Sequence, residues 1–326
     1  MRLDRFITLN LIRPLSRFTP RASRFASLPV LMYHSISDDP ESGVGPYYRV
    51  STSPGRFREQ MQWLKDNGYR GVTLSAGLEW LDSTKQKAES GNIKPVALTF
   101  DDGFRDFHTA AWPILREFGF TATMYLPTAF IGAARRQFTP SPHRGEGRGE
   151  VAPASSAGRD CLTWAEVREL HHAGMEFGSH TVNHPKLVEL SWSQVEAEIR
   201  DSKAEIENRL GAPCPAFAYP YAFPQANREF AGRLKDLLRA GGYETSVTTQ
   251  IGRHRPSDDA LQIKRLPVNQ DDDLLLFAAK LGGAYDWLGR FQSLSKTLRR
   301  RRKMPDRISS PEKPDVRALA LPDGRL

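Results

Sequence analysis

The sequence predicts an α/β fold built on a parallel sheet, either open or closed into a barrel. Three observations lead there. Seven short apolar runs recur at wide spacing between residues 29 and 268. Helical patterns, several opened by capping residues, fall between them. An alternation of strands and helices needs crossover connections, and crossovers lay the strands parallel.

The elements follow in order. PVLMYHSI (29–36) is the first apolar run. PGRFREQMQWLKDNGY after it reads as a helix closed by Gly68, since glycine accepts the left-handed turn that stops a helix. VALTF (96–100) enters Asp101, and ATMYLP (122–127) is the third run. Thr163 with Glu166 has the spacing of a capping box and opens a helix before MEFGSH (175–180). Ser191 with Gln194 repeats that signal and starts a helix over 191–210, with Val195, Ile199, Ile206 and Leu210 on one face. AFAYP (216–220), ETSVTT (244–249) and QIKRLPV (262–268) complete the runs. Residues 274–291, LLLFAAKLGGAYDWLGRF, place Leu274, Phe277, Ala278 and Leu281 on one helical face, read first as core packing. There is no internal repeat.

Composition bounds the alternatives. The 326 residues are 39% hydrophobic and 26% charged, which supports a sizeable core and argues against wholesale disorder. No run approaches the roughly 18 apolar residues of a membrane span. Two cysteines, Cys161 and Cys214, exclude a disulfide-stapled module and a four-cysteine zinc site. The net charge of +8 is uneven: residues 1–26 carry +5 and 296–326 carry +6, leaving −3 for 27–295. An acidic body argues against a nucleic-acid partner, whereas basic ends suit an anionic surface such as phospholipid. Residues 1–28 therefore read as a basic leader, either an amphipathic helix on a membrane surface or a solvated extension. Residues 29–295 form the folded domain, with 139–160, rich in Pro, Gly, Ser and charge, as a disordered insertion. Residues 296–326 read as a basic, disordered tail. The leader has no apolar signal core, which places the chain in the cytoplasm or on the cytoplasmic face of the membrane, with an exported form left open.

Three polar clusters stand where predicted strands end. The first is Thr99-Phe100-Asp101-Asp102-Gly103. Adjacent side chains on an extended segment point opposite ways, so one carboxylate can hold a metal while the other faces a substrate or a water. Alone, such a triplet is usually a polar turn. The second is Ser179-His180-Thr181-Val182-Asn183-His184-Pro185. Its two histidines are four apart, a metal-ligand spacing, but Pro185 pushes His184 away from helical angles and places the pair on a loop. The third is Tyr219-Pro220-Tyr221-Ala222, which alone reads as packing or as a turn presenting backbone N–H groups.

In this order the clusters resemble the polysaccharide deacetylases of carbohydrate esterase family 4, the nodulation-deacetylase homology domain. LMYHSI and FGSHTVNHP resemble its bacterial exopolysaccharide branch. The resemblance spans about 29–285 and implies a distorted barrel of seven or eight βα units. It implies that Asp102, His180 and His184 bind one divalent metal, usually zinc, and that Asp101 is the general base. It implies that Tyr221, beside Pro220 and Tyr219, offers a backbone N–H to the oxyanion. The implied substrate is a glycan containing N-acetylhexosamine, and the implied reaction is removal of its N-acetyl groups.

The sequence departs from the family pattern in three places. The arginine that usually precedes Pro-Tyr and pairs with the base is absent; Arg265 is the candidate replacement, against a surface ion pair as the alternative. Ala222 stands where glycine is usual. The late Leu-x-His motif that supplies the acid is missing, since the comparable stretch ends in Asn269; His34 is the alternative, against a buried structural histidine. His108, His171, His172 and His254 read as surface or helix residues. Two further readings remain: an O-deacetylase or non-sugar amidase with the same metal site, and a catalytically silent glycan-binding relative.

Overall fold

The computed structural model describes residues 2–16, 27–83, 94–132, 158–289 and 291–292. Among these residues are ten strands, most of the later ones separated by helices. In chain order the strands are β1 (Val30–Tyr33), β2 (Ser35–Ile36), β3 (Ser51–Thr52), β4 (Tyr69–Val72), β5 (Lys94–Phe100), β6 (Thr123–Leu126), β7 (Glu176–Ser179), β8 (Ala216–Ala218), β9 (Thr245–Ile251) and β10 (Ile263–Pro267). The main sheet runs β1-β10-β9-β8-β7-β6-β5-β4, and β1 also pairs with β5. Seven parallel strands thus close a barrel, with β4 added outside it on β5. Short β2 and β3 form a separate parallel pair. The open-sheet alternative is excluded.

The helices are α1 (Leu3–Ile7) and α2 (Arg13–Ser16), joined by a π-helical turn over Thr8–Ile12, then α3 (Pro54–Asp66), α4 (Leu74–Ser83), α5 (Trp112–Phe118), α6 (Trp164–His172), α7 (Trp192–Leu210), α8 (Arg228–Ala240) and α9 (Leu274–Leu281). Both capping boxes form, at Thr163–Glu166 and Ser191–Gln194. Gly68 takes φ +73° just beyond α3.

Strand alternation divides the core. On β5, Val96, Leu98 and Phe100 face the helices, while Ala97 joins Val30, Ala216, Ala218, Val247 and Ile263 in a separate cluster inside the barrel. Small residues there leave room for Tyr125, which is fully buried. A Cβ on Gly178 would stand 2.5 Å from the Tyr125 ring and 2.8 Å from the Ala216 carbonyl, so this strand position requires glycine.

Several expectations need correction. His254 is 4% exposed and its backbone pairs with that of Leu28, so it is a buried histidine at the barrel's foot. Leu28 is itself fully buried and belongs to the barrel rather than to a leader. Residues 3–16 are helical and dock on the domain, as Arg2 to Asp272 and Trp287 to Thr8 show, so this part of the leader is not a solvated extension. Of the insertion expected at 139–160, residues 139–157 lie outside the described residues, but Arg159 is placed, pairing with Asp39 and Glu41. The tail expected at 296–326 lies outside them as well. The last predicted helix ends at Leu281, where Gly283 takes φ +84°. Its buried side includes Leu276 and Lys280, because Asp272 meets the Lys280 ammonium at 2.5 Å.

Candidate active site

The inward register of the barrel strands builds the site. Ala97 and Thr99 point into the barrel, and Asp101 continues their alternation just past β5. On β1 the inward series is Val30, Met32 and then His34, and on β10 it is Ile263, Arg265 and Pro267. His180 follows β7, and Tyr219 to Tyr221 follow β8. The result is a pocket of about 170 Å³ at the C-terminal ends of the strands, lined by His34, Asp101, Asp102, His180, His184, Tyr219 and Tyr221 among others.

The adjacent aspartates part company. The Arg265 guanidinium donates to both Asp101 oxygens, at 2.7 and 2.8 Å. Its other N–H groups reach the Thr248 carbonyl at 3.0 Å and Thr99 Oγ1 at 3.3 Å. Arg265 is 1% exposed, so the surface ion-pair alternative fails. Burial alone would raise the Asp101 carboxyl, but Arg265 and the nearby His180 outweigh it and hold it below the usual carboxylate range. His34 Nε2 stands 3.9 Å from Asp101 Oδ2. The next segment is fixed by Ser35 Oγ, which donates to Asp106.

Asp102 turns the other way. Its Oδ1 lies 3.3 Å from His184 Nε2 and 3.9 Å from His180 Nε2, and the two ring nitrogens face each other at 3.1 Å. One donor atom from each residue falls within 4.8 Å of the others, and all three residues are buried. Burial lowers the His180 pKa despite Asp101 and Asp102, which keeps the ring neutral near pH 7. Its Nδ1 lies 2.8 Å from the Ala218 carbonyl, which fixes the proton there and leaves the Nε2 lone pair facing the cluster. Two imidazole nitrogens and a carboxylate, converging and already oriented, fit a divalent cation with positions left open.

Backbone strain concentrates here. Five described non-glycine residues have positive φ, and four belong to this site: Asp102 (74°), Thr181 (68°), His184 (53°) and Tyr221 (58°). His184 precedes proline and is left-handed rather than extended. Its N–H donates to Thr181 Oγ1 at 2.9 Å, which closes the loop tightly. Glu198 of α7 accepts the N–H groups of Val182 and Asn183, at 2.8 and 2.9 Å. At the third cluster the left-handed residue is Tyr221, not Ala222, so alanine fits there without strain. The Tyr221 ring packs 4.6 Å from that of His184, while Tyr219 packs against Phe223 and its N–H donates to the Val247 carbonyl.

Sequence reasoning missed the rim. Tyr47, Tyr48 and Arg49 come from the loop before β3, and Thr249 and Gln292 from the far side. Two adjacent tyrosines after Gly45-Pro46 were the available signal for a surface aromatic wall.

Comparison with known proteins finds relatives of the chain. Residues 88–240 match the family model described as polysaccharide deacetylase. The chain is 30% identical over 231 residues to "Putative polysaccharide deacetylase YxkH" of Bacillus subtilis, covering 70% of this chain and 66% of that one. It is 30% identical over 154 residues to "Poly-beta-1,6-N-acetyl-D-glucosamine N-deacetylase" of Escherichia coli, covering 47% of this chain and 20% of that one. The chain thus spans less than two thirds of the length of either relative. Among solved structures, the Streptococcus pyogenes deacetylase PplD, in complex with acetate, superposes with a TM-score of 0.60 at 25% identity, over 80% of this chain and 99% of that one.

Proposed function

The chain belongs to the polysaccharide deacetylase family, and from that premise we propose that it is a metal-dependent hydrolase removing N-acetyl groups from N-acetylhexosamine units of a polysaccharide. The observation that carries this reading is the division of labour between neighbouring carboxylates. Asp101 is clamped by Arg265 and faces the pocket, while Asp102 joins His180 and His184. Asp102, His180 and His184 would hold one divalent ion, and two imidazoles with one carboxylate favour zinc. Such an ion supplies Lewis acidity, polarising the acetyl carbonyl and making water acidic enough to attack at neutral pH.

The remaining work falls to the chain's own groups. Arg265 occupies one lone pair on each Asp101 oxygen and leaves others for a water. Asp101 takes the water's proton as its oxygen bonds to the acetyl carbon. The charge that forms on the former carbonyl oxygen meets the Tyr221 backbone N–H, held ready by the left-handed turn. The C–N bond then breaks, and His34, 3.9 Å from Asp101, supplies the proton that the departing amine needs. The products are acetate and a free amino sugar. Poly-β-1,6-linked N-acetylglucosamine is the first substrate to try, because the Escherichia coli relative is named for it.

The test is release of acetate and of new primary amine from N-acetylglucosamine oligomers, using metal-stripped protein restored with zinc or cobalt. Equal amounts of both, only after metal is restored, are expected. Acetate without amine from an O-acetylated glycan, and nothing from the N-acetylated oligomers, would overturn the N-deacetylase reading.

A further inference from the structure

The N-terminal helix is amphipathic in the reverse of the usual sense. Its polar groups face the domain. Arg2 pairs with Asp272 at 2.9 Å and with Asp4 at 2.7 Å, Tyr285 donates to Asp4 at 2.6 Å, and Arg5 pairs with Asp273. Thr8 is fully buried and accepts a hydrogen bond from the Trp287 indole. Its apolar groups face outward: Leu3 is 70% exposed, Leu11 52% and Leu15 62%. Spacing by four puts these leucines on one stripe. A surface helix normally turns such a stripe into the core.

The stripe joins a larger apolar face. Nine large hydrophobic side chains are exposed among the described residues. Leu3, Tyr47, Tyr48 and Phe291 line one cavity of about 620 Å³ between this helix, the 45–48 loop and Trp287, Leu288 and Phe291. Phe6, Leu11 and Leu15 continue the face along the helix. Tyr47 and Tyr48 also line the catalytic pocket, so the apolar cavity and the reaction site share a wall. Contiguous apolar surface of this kind marks a docking site.

Charge selects the occupant. The segments that adjoin this face in sequence, 13–26 and 296–326, carry +4 and +6, while the rest of the chain carries −2. No helix among the described residues is long and apolar enough to cross a membrane. We propose that this face docks on an anionic phospholipid bilayer, with the outward leucines and Phe291 at the acyl boundary, the basic charge of the adjoining sequence favouring anionic headgroups. The ion pairs beneath the helix hold it rigidly for that contact. Docking turns the shared tyrosine wall, and with it the catalytic pocket, toward the membrane surface, where an attached saccharide can reach it.

This inference does not depend on the deacetylase reading, and its test uses no substrate turnover as the primary readout. The full chain is sedimented with vesicles of phosphatidylcholine alone, or with about a third phosphatidylglycerol. Binding to the anionic vesicles is expected, weakening as salt rises from ~0.1 M to ~0.5 M. The double variant Leu11→Glu, Leu15→Glu touches neither pocket. It should bind about tenfold more weakly, while keeping its thermal midpoint and its turnover of any soluble substrate. The proposal is overturned if the full chain ignores anionic vesicles, or if the double variant binds them as well as the parent. It is also overturned if light scattering shows a dimer that the variant converts to monomer, since a second copy would then cover the face.

Discussion

Asp101 with Arg265, and Asp272 with Lys280, are both buried carboxylate–cation pairs. Their surroundings differ. Asp101 receives two parallel hydrogen bonds from a planar guanidinium and still lines an open pocket beside His34. Asp272 is enclosed: Lys280 meets it at 2.5 Å, Arg2 at 2.9 Å, and its side chain has no exposed surface. Lys280 also donates to the Pro267 carbonyl. The first arrangement holds a carboxylate in one orientation while leaving lone pairs for chemistry. The second spends all its contacts tying α9, the β10 loop and the N-terminal helix together. Burial of a charge is thus no sign of function by itself; access to a cavity separates the two pairs.

Substitutions can break or sharpen that contrast. Asp101→Asn should lower kcat/KM by roughly 10²–10⁴-fold, the usual worth of a positioned general base, measured as acetate release. Lys280→Met should leave the rate per folded chain within a few fold. Instead it should lower stability by about 3 kcal/mol, at the low end for breaking a buried pair because Arg2 still faces Asp272. Urea unfolding followed by fluorescence measures it, and a loss below about 1 kcal/mol would mean that the anchor carries no tension.

Arg265→Met tests the electrostatic half of the comparison. In the native protein burial raises the Asp101 carboxyl and Arg265 more than reverses it, so the net shift is downward. The pair therefore stabilises the fold above the ordinary carboxylate range, and that contribution fades as pH falls through the depressed value. Without Arg265 only burial and the weaker partners remain. The acid limb of the residual kcat/KM should then move to higher pH, and the fold should lose stability as pH rises from the ordinary carboxylate range through the raised value. An unmoved acid limb would show that Asp101 is not the titrating base. The smallest effect belongs to Ala222→Gly. Left-handed φ falls on Tyr221, so restoring glycine relieves nothing and should cost less than about 1 kcal/mol, with turnover near the parent's.

All seven barrel strands were legible, because each is a short, largely apolar run set apart by polar or helical sequence, although only a 3-10 turn lies between β9 and β10. Strand β4 was not: Tyr69-Arg70-Gly71-Val72 is brief and half polar, and it is set by pairing with β5 rather than by its own pattern. Closure into a barrel was also beyond periodicity, since the β1–β5 pairing joins segments whose local sequences would suit an open sheet equally well. Within the site, the aspartates and histidines stood out as motifs. Arg265 belonged to no motif and could be named only as the candidate for the missing arginine, because QIKRLPV hides an inward arginine between Ile263 and Pro267 beside an outward leucine, and only the register reveals which side it faces. Tyr47 and Tyr48 went unread for a different reason: the pair after Gly45-Pro46 signals an aromatic turn, but a loop has no period from which to read which way it faces.

The most direct measurement pairs metal content with acetate release in the same samples of the parent protein, Asp101→Asn and His184→Ala. About one ion per chain is expected in the first two and little in the third. Acetate is expected from the parent alone. Release from Asp101→Asn at the parent's rate, with its metal retained, would contradict the division of labour between Asp101 and Asp102.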